Sequence, residues 1–197
     1  LWLGILIVKK AAYLVERDAL KPLVSERIDT TSKVFSMEEW IQEEKQEDFE
    51  SIVFFDCPQS KEVIQEFRQQ DYTQKMYIIA YTPKSIMTMG IPTRERFVAV
   101  YQYLKIHSNV PYNEKTGELA NYLKIPLDQF KVILKVFFEL KFVIIENGCL
   151  RLNPDSTSMD LMQSNLMKQL QEELWLERVF IYSQFSELTN WLTNMEE

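Results

Sequence analysis

Glycine and histidine are the scarce residues of this chain. Four glycines in 197 residues leave almost no material for the Gly-rich loops that cradle phosphates. The single histidine, His107, and two cysteines far apart in sequence, Cys57 and Cys149, cannot make a usual zinc set, and no Cys-x-x-Cys motif occurs. The cysteines read as reduced thiols of a cytoplasmic protein. There is no Asp-x-Asp and no Asp-His-His, and the aspartates stand dispersed at positions 18, 29, 48, 56, 71, 128, 155 and 160. Metal-dependent phosphoesterases cluster such ligands to hold two cations, so neither a metal nor a cofactor is expected in this chain. A long hydrophobic run is missing too. The apolar stretch Leu1–Val8 has eight residues, and Lys9–Lys10 follow it rather than precede it, which fits neither a membrane span nor a signal peptide. It reads as a buried strand. Because the first residue is Leu1 rather than Met, the sequence reads as a piece of a longer product.

What is present is ample core-forming material. Hydrophobic residues make up 46% and aromatics 13% of the chain, which excludes intrinsic disorder. The net charge of −7 is unevenly spread. Residues 1–90 carry 11 Lys or Arg against 15 Asp or Glu, residues 91–153 carry 9 against 6, and residues 154–197 carry 2 against 8. Only the middle segment is basic, and only there does charge favour a polyanion.

The fold class expected is α/β: a mostly parallel α/β sheet layer, then a winged-helix-like domain, then C-terminal helices. In residues 1–90, Leu3–Val8, Ser51–Asp56 and Lys75–Tyr81 are short β-prone runs of the kind found in buried parallel strands. Ser36, with Glu39 three residues on, predicts a capping box and a helix to about Glu47, and Ser60 predicts a helix over Lys61–Gln70. Lys9–Lys21 fits a helix or the second strand of a hairpin equally well. Pro83, Gly90 and Pro92 interrupt both periodicities and mark a boundary at Thr82–Pro92.

Residues 91–154 form the second expected domain. Thr93 stands where a helix N-cap belongs, and Phe97, Val98, Val100, Tyr101 and Leu104 follow helical spacing. A second helix is expected from about Asn113 to Leu123. A third follows, with Pro126 in its first turn and an apolar face of Phe130, Ile133, Leu134, Phe137, Phe138 and Leu140. Asn147–Gly148 between two β-prone runs signals a type I′ hairpin. Three helices and a hairpin is the winged-helix order. A linker over Asn153–Met159 leads into residues 155–197. A long helix is expected up to about Tyr182 and a short one over Ser186–Thr193, both packing back on the rest.

Candidate sites are few. Asp56 ends a strand, where open α/β sheets bind ligands, but with no phosphate loop upstream it reads as a strand-end cap. Cys57 with His107 as base has no local signature. The run Glu38–Glu50, with seven carboxylates and one lysine, reads as a solvated face. The DNA-contact candidates are Lys131 and Lys135 on the third helix, Lys124 before it, Lys141 after it, Arg151 on the second wing strand, and Arg94 and Arg96 at the start of the first helix. The same lysines also suit any helix surface that must be polar. Direct base reading has little support, since the third helix offers no Arg, Asn or Gln beyond Gln129.

Several segments together resemble a known family. Pro92-Thr-Arg-Glu-Arg-Phe-Val, Leu119-Ala-Asn-Tyr-Leu and Val136-Phe-Phe-Glu-Leu-Lys-Phe-Val-Ile-Ile-Glu-Asn-Gly148 look like the C-terminal extension of RecJ-type single-stranded-DNA-specific exonucleases. Ser51-Ile-Val-Phe-Phe-Asp-Cys-Pro-Gln-Ser60 resembles that extension's Asp-x-Pro-x-Ser turn. Tyr182-Ser-x-Phe-x-Glu-Leu-x-x-Trp-Leu192 resembles its ending. The match runs in order over residues 50–193 and is loose before that. The resemblance implies a parent enzyme that degrades single strands from the 5′ end in recombination and repair, with manganese or magnesium on an Asp-His-His core. No position here carries that core. The chain is then a non-catalytic accessory domain, working beside a catalytic core of the same polypeptide. The other contacts implied are single-stranded DNA, single-stranded-DNA-binding protein or a helicase, and no membrane. The alternative is a free-standing winged-helix DNA-binding regulator with an α/β sensor domain.

Overall fold

A computed structural model describes residues 8–107, 110–112, 116–156 and 160–193. The chain divides into two compact units, one of residues up to Ser85 together with those from Glu172, the other of Ile86–Gln171.

The first unit opens with β1 (Ala11–Leu14), α1 (Lys21–Ser25), β2 (Lys33–Phe35), α2 (Met37–Ile41), β3 (Ser51–Asp56), α3 (Lys61–Arg68) and β4 (Lys75–Tyr81). The strands form a parallel sheet in the order β2-β1-β3-β4. Every residue of β1 is buried, as are five of the six in β3, which is why these central strands read as continuous apolar runs without alternation. The strand expected over Leu3–Val8 falls on residues outside those described, except Val8, which lies in no strand. The ambiguous segment supplies β1 instead. Its Ala11-Ala-Tyr-Leu14 pairs in parallel on both sides, so the hairpin alternative is excluded.

The capping box forms: Ser36 Oγ accepts from Glu39 N at 3.1 Å, and the Glu39 carboxylate accepts from Ser36 N at 2.6 Å. α2 nevertheless stops at Ile41 instead of running to Glu47, and a single 3-10 turn over Gln46–Asp48 follows. Glu43, Glu44, Glu47 and Asp48 would crowd like charges against the negative end of a longer helix. Trp40, fully buried, packs edge-on against Phe35 and Phe49 and stacks on Tyr72.

The second unit comprises α4 (Ile86–Met89), α5 (Arg94–Ile106), β5 (Val110–Pro111), α6 (Thr116–Tyr122), α7 (Leu127–Glu139), β6 (Val143–Glu146) and β7 (Cys149–Leu152). Its strands form an antiparallel sheet in the order β5-β7-β6. The hairpin turn has positive φ at both Asn147 and Gly148 (52° and 74°), as the type I′ signal requires. Phe97, Val100 and Leu104 of α5 pack with Phe130, Ile133, Leu134 and Phe137 of α7 in one core. Thr93 takes the N-cap position of α5, but its hydroxyl makes no capping bond; it binds the Glu95 carboxylate and holds it below the ordinary range. Pro126 is the N-cap of α7 rather than part of its first turn.

The scarcity of glycine is felt at the ends of α6 and α7. Lys124 (φ 54°) and Lys141 (φ 57°) occupy the left-handed position where glycine is usual. Ile125 N binds Ala120 O at 2.9 Å and Lys124 N binds Asn121 O at 3.1 Å, and the same pair of bonds recurs from Phe142 and Lys141 to Phe137 and Phe138. Each lysine also sets a positive charge beside a helix C-terminus, which offsets part of the backbone strain.

The chain leaves the second unit through α8 (Asn165–Glu177), a π turn over Arg178–Tyr182, and α9 (Phe185–Thr193). The long helix expected to Tyr182 thus widens after Glu177. The start of α8 is capped by Glu139, whose carboxylate accepts from Ser164 Oγ (2.5 Å), Asn165 N (2.6 Å) and Leu166 N (3.3 Å). The Ser164 hydroxyl bond, with those backbone donors, lowers the Glu139 pKa. A depressed carboxylate contributes stability that is complete above its unfolded value, roughly pH 4.3, and is lost as pH falls through the folded value. The urea midpoint of the second unit should therefore drop as pH is taken from about 5 to about 3, and Glu139→Gln should flatten that part of the profile. An unchanged profile in Glu139→Gln would remove the cap from the account.

From Glu172 onward the chain belongs to the first unit. Leu176, Phe180, Leu188 and Leu192 enter the core that contains Phe54, Ile64 and Phe67. Trp175 and Trp191 meet edge-on, and Lys61 Nζ and the Arg68 guanidinium each lie 4.3 Å from one of the two indole rings. These cation-π contacts tie α3 to the returning helices.

Candidate functional site

The second unit carries an open, mostly apolar groove of about 850 Å³. One wall is the start of α5, with Pro92, Phe97, Val98 and Tyr101; Phe137 and Phe142 contribute a second; Leu161, Met162 and Met167 a third. Arg94, Ser156 and Asp160 supply its polar edge. Phe137 is the hub of the lining, in ring contact with Phe97 (5.7 Å), Tyr101 (6.5 Å) and Phe142 (5.7 Å).

The groove exists because α5 is apolar on two sides. Phe97, Val100 and Leu104 are buried, whereas Val98 and Tyr101, which share the same helical pattern in sequence, are 43% and 38% exposed. Seven of the eight residues from Phe97 to Leu104 are apolar, which covers more than one helix face, and that excess was the available signal.

The seven DNA-contact candidates do not share one environment. Arg96 is half-buried and hydrogen-bonded to the Gln129 side chain. Gln129 itself is 5% exposed and donates to Met89 O at 2.6 Å, so the one amide expected on a reading face points inward. A Cβ on Gly90 (φ 73°) would come within 3.0 Å of that same amide, which explains a glycine there. Arg151 is ion-paired with Glu146 along the hairpin. Lys131 and Lys135 are exposed and make no ion pair among the described residues, but the exposed acids Asp128 and Glu139 flank them at helical spacing. That stripe carries no net charge. Lys124 and Lys141 bracket α7, whose 13 residues measure about 20 Å, so they cannot serve one compact patch. Arg94, exposed, stands at the groove.

In the first unit, the crevice between β1 and β3 is where strand order reverses and where such sheets place ligands. Here it is filled from within. Asp56, with a fully buried carboxylate, accepts from Glu16 N (2.8 Å) and Arg17 N (3.0 Å) and pairs with Arg17 Nη1 (3.3 Å). Arg17 also donates to Cys57 O and Thr82 Oγ1, both at 3.4 Å. Asp56 is the strand-end cap its position suggested. Burial pushes the Cys57 thiol up to about 12, which leaves it protonated and unreactive near neutral pH.

Among the described residues no three His, Cys, Asp or Glu side chains gather closely enough to hold a metal ion, and no helix is long and apolar enough to cross a membrane. Residues 4–192 match the family described as "Single-strand DNA-specific exonuclease, C terminal domain". The chain belongs to that family. The match reaches well upstream of residue 50, where the resemblance in motifs began. A curated relative of this C-terminal exonuclease domain, the single-stranded-DNA-specific exonuclease RecJ of Bacillus subtilis (strain 168), is 26% identical over 144 residues. That alignment covers 73% of this chain but 18% of the relative, so the chain spans less than a fifth of it. No solved structure matches. The manganese or magnesium that the resemblance implies finds no fitting set of ligands among the described residues.

Proposed function

We propose that this chain is a non-catalytic accessory domain of a cytoplasmic 5′–3′ single-stranded-DNA-specific exonuclease acting in recombination and repair. Its metal-dependent catalytic core lies elsewhere in the same polypeptide. The observation that carries the reading is the family match over residues 4–192, which embraces both units. After the short α4, the run α5, β5, α6, α7 and the β6–β7 hairpin is compatible with a winged-helix order, which supports reading the second unit as the contact module. A match spanning both units also weighs against a free-standing regulator with a separate sensor domain.

The contact favoured is with a protein, through the groove. An apolar lining, with Arg94 and Asp160 as the charges at its edge, suits a peptide that ends in an apolar side chain and offers an acidic group to Arg94, the chemistry of a single-stranded-DNA-binding protein's tail; a helicase segment would need the same features. The charge-balanced stripe on α7 argues against reading DNA through that helix. Titration with a labelled tail peptide and, side by side, with labelled single strands tests this. Arg94→Glu should weaken the peptide roughly tenfold, and Val98→Asp at least as much. Peptide affinity that ignores both substitutions overturns the groove as the contact.

A further inference from the structure

Glu139 stands where an acid is disfavoured. It is the last residue of α7, at the end where unpaired carbonyls repel a negative charge. Its carboxylate serves the next helix instead, accepting from Ser164 Oγ (2.5 Å), Asn165 N (2.6 Å) and Leu166 N (3.3 Å) at the start of α8. A helix N-terminus offers the positive end that a carboxylate favours. Those donors are also what hold the Glu139 carboxyl below its ordinary range.

What the bonds secure is a wall of the groove. Ser164 is fully buried, and its hydroxyl, while donating to Glu139, accepts from Met167 N at 3.2 Å. On the other side of Ser164 a 3-10 turn runs over Leu161–Gln163. There Met162 N binds Asp160 Oδ1 at 3.0 Å, and Ser164 N binds Leu161 O at 3.1 Å. Leu161, Met162 and Met167, the third wall, therefore belong to one hydrogen-bonded segment. Phe137 and Phe142, the second wall, lie two residues before Glu139 and three after it. Leu161, Leu166 and Met167 also pack into the core of the unit, but apolar contact is non-directional and by itself fixes no register. The three bonds to Glu139 do.

Given the groove as a peptide contact, on which this rests, we propose that Glu139 is a positioning residue. It sets the gap between the Phe137–Phe142 wall and the Leu161–Met162–Met167 wall, and with it the size of the apolar side chain that the groove holds best. Small displacements matter here, since a gap of about 1 Å forfeits up to roughly half of the dispersion energy of a contact.

The test uses the whole chain and two labelled acidic peptides, alike except for a last residue of Phe in one and Ala in the other, titrated by fluorescence anisotropy. The parent should hold the Phe-ended peptide about tenfold more tightly. Glu139→Ala should cut that preference to about threefold, and Glu139→Gln, which keeps one acceptor oxygen, should fall between. A cap that merely stabilises the unit would leave the preference unchanged wherever the variant is folded. Hydrogen exchange of the Asn165 and Leu166 amides, read by mass spectrometry, should quicken in Glu139→Ala by about tenfold. Where Glu139→Ala lacks the parent's circular dichroism, Glu139→Gln is the variant read. An unchanged Phe preference, or unchanged exchange of those amides, overturns the positioning role. If parent binding also ignores Arg94→Glu and Val98→Asp, or the parent binds neither peptide, the groove falls as the contact and the positioning role with it. Sensitivity to those two substitutions beside an unchanged preference in Glu139→Ala overturns the positioning role alone.

Discussion

Replacing Asp56 by alanine should lower the unfolding free energy of the first unit by about 3–5 kcal/mol, the usual cost of stranding one member of a buried ion pair. The carboxylate is fully buried and receives the Glu16 and Arg17 amides as well as the guanidinium. Its loss leaves two backbone donors without acceptors and Arg17, 22% exposed, without its counter-charge. Asp56→Asn keeps an oxygen for one of the amides and should cost noticeably less. Urea denaturation followed by tryptophan fluorescence reads both, since Trp40 is buried in this unit. A loss below about 1 kcal/mol for Asp56→Ala would mean that solvent already reaches the pair, and the crevice would again be open to a ligand.

The second large effect belongs to Phe130→Ala, expected to cost the second unit about 3–5 kcal/mol. Phe130 is wholly buried near the start of α7, in the core shared with α5 and α6. Removing the ring opens a cavity between helices that cannot collapse without moving α7. Phe138→Ala, on the same helix but only half-buried, is the control and should cost clearly less. Equal losses for the two would place α7 in the wrong register against its neighbours. Because Phe137 lies on the same helix and lines the groove, Phe130→Ala should also weaken the tail peptide, whereas Phe138→Ala should spare it.

How far these features could be read in the sequence depends on how local their causes are. The Ser36 capping box, the Asn147–Gly148 turn and the apolar face of α7 are set by residues within one or two turns of each other, and all three are present. β3 and β4 were legible as runs of residues that suit a sheet interior. β2, β5 and α4 were not: at three, two and four residues they are too short to display a period. β1 was undecidable because Ala11-Ala-Tyr-Leu14 suits either structure, and pairing with strands on both sides decides it. The groove was hidden for a related reason. Helical spacing grouped Val98 and Tyr101 with the core, and only the position of α7 determines which apolar side of α5 is covered.

The candidate cations illustrate the same limit. Spacing could place Lys131 and Lys135 on one edge of a helix, and the neighbouring acids Asp128 and Glu139 were visible beside them. It could not place Arg96 against Gln129, 33 residues on. The single histidine and the lack of an Asp-His-His motif, by contrast, are visible in the sequence itself, and the proposed non-catalytic role leans on them.

That last point can be tested directly. The chain, incubated with 5′-labelled single-stranded DNA and manganese and resolved on a sequencing gel, is expected to release no more nucleotide than buffer does. Labelled product that accumulates in proportion to the chain, and vanishes when the metal is chelated, would contradict the account by placing a catalytic site within these residues.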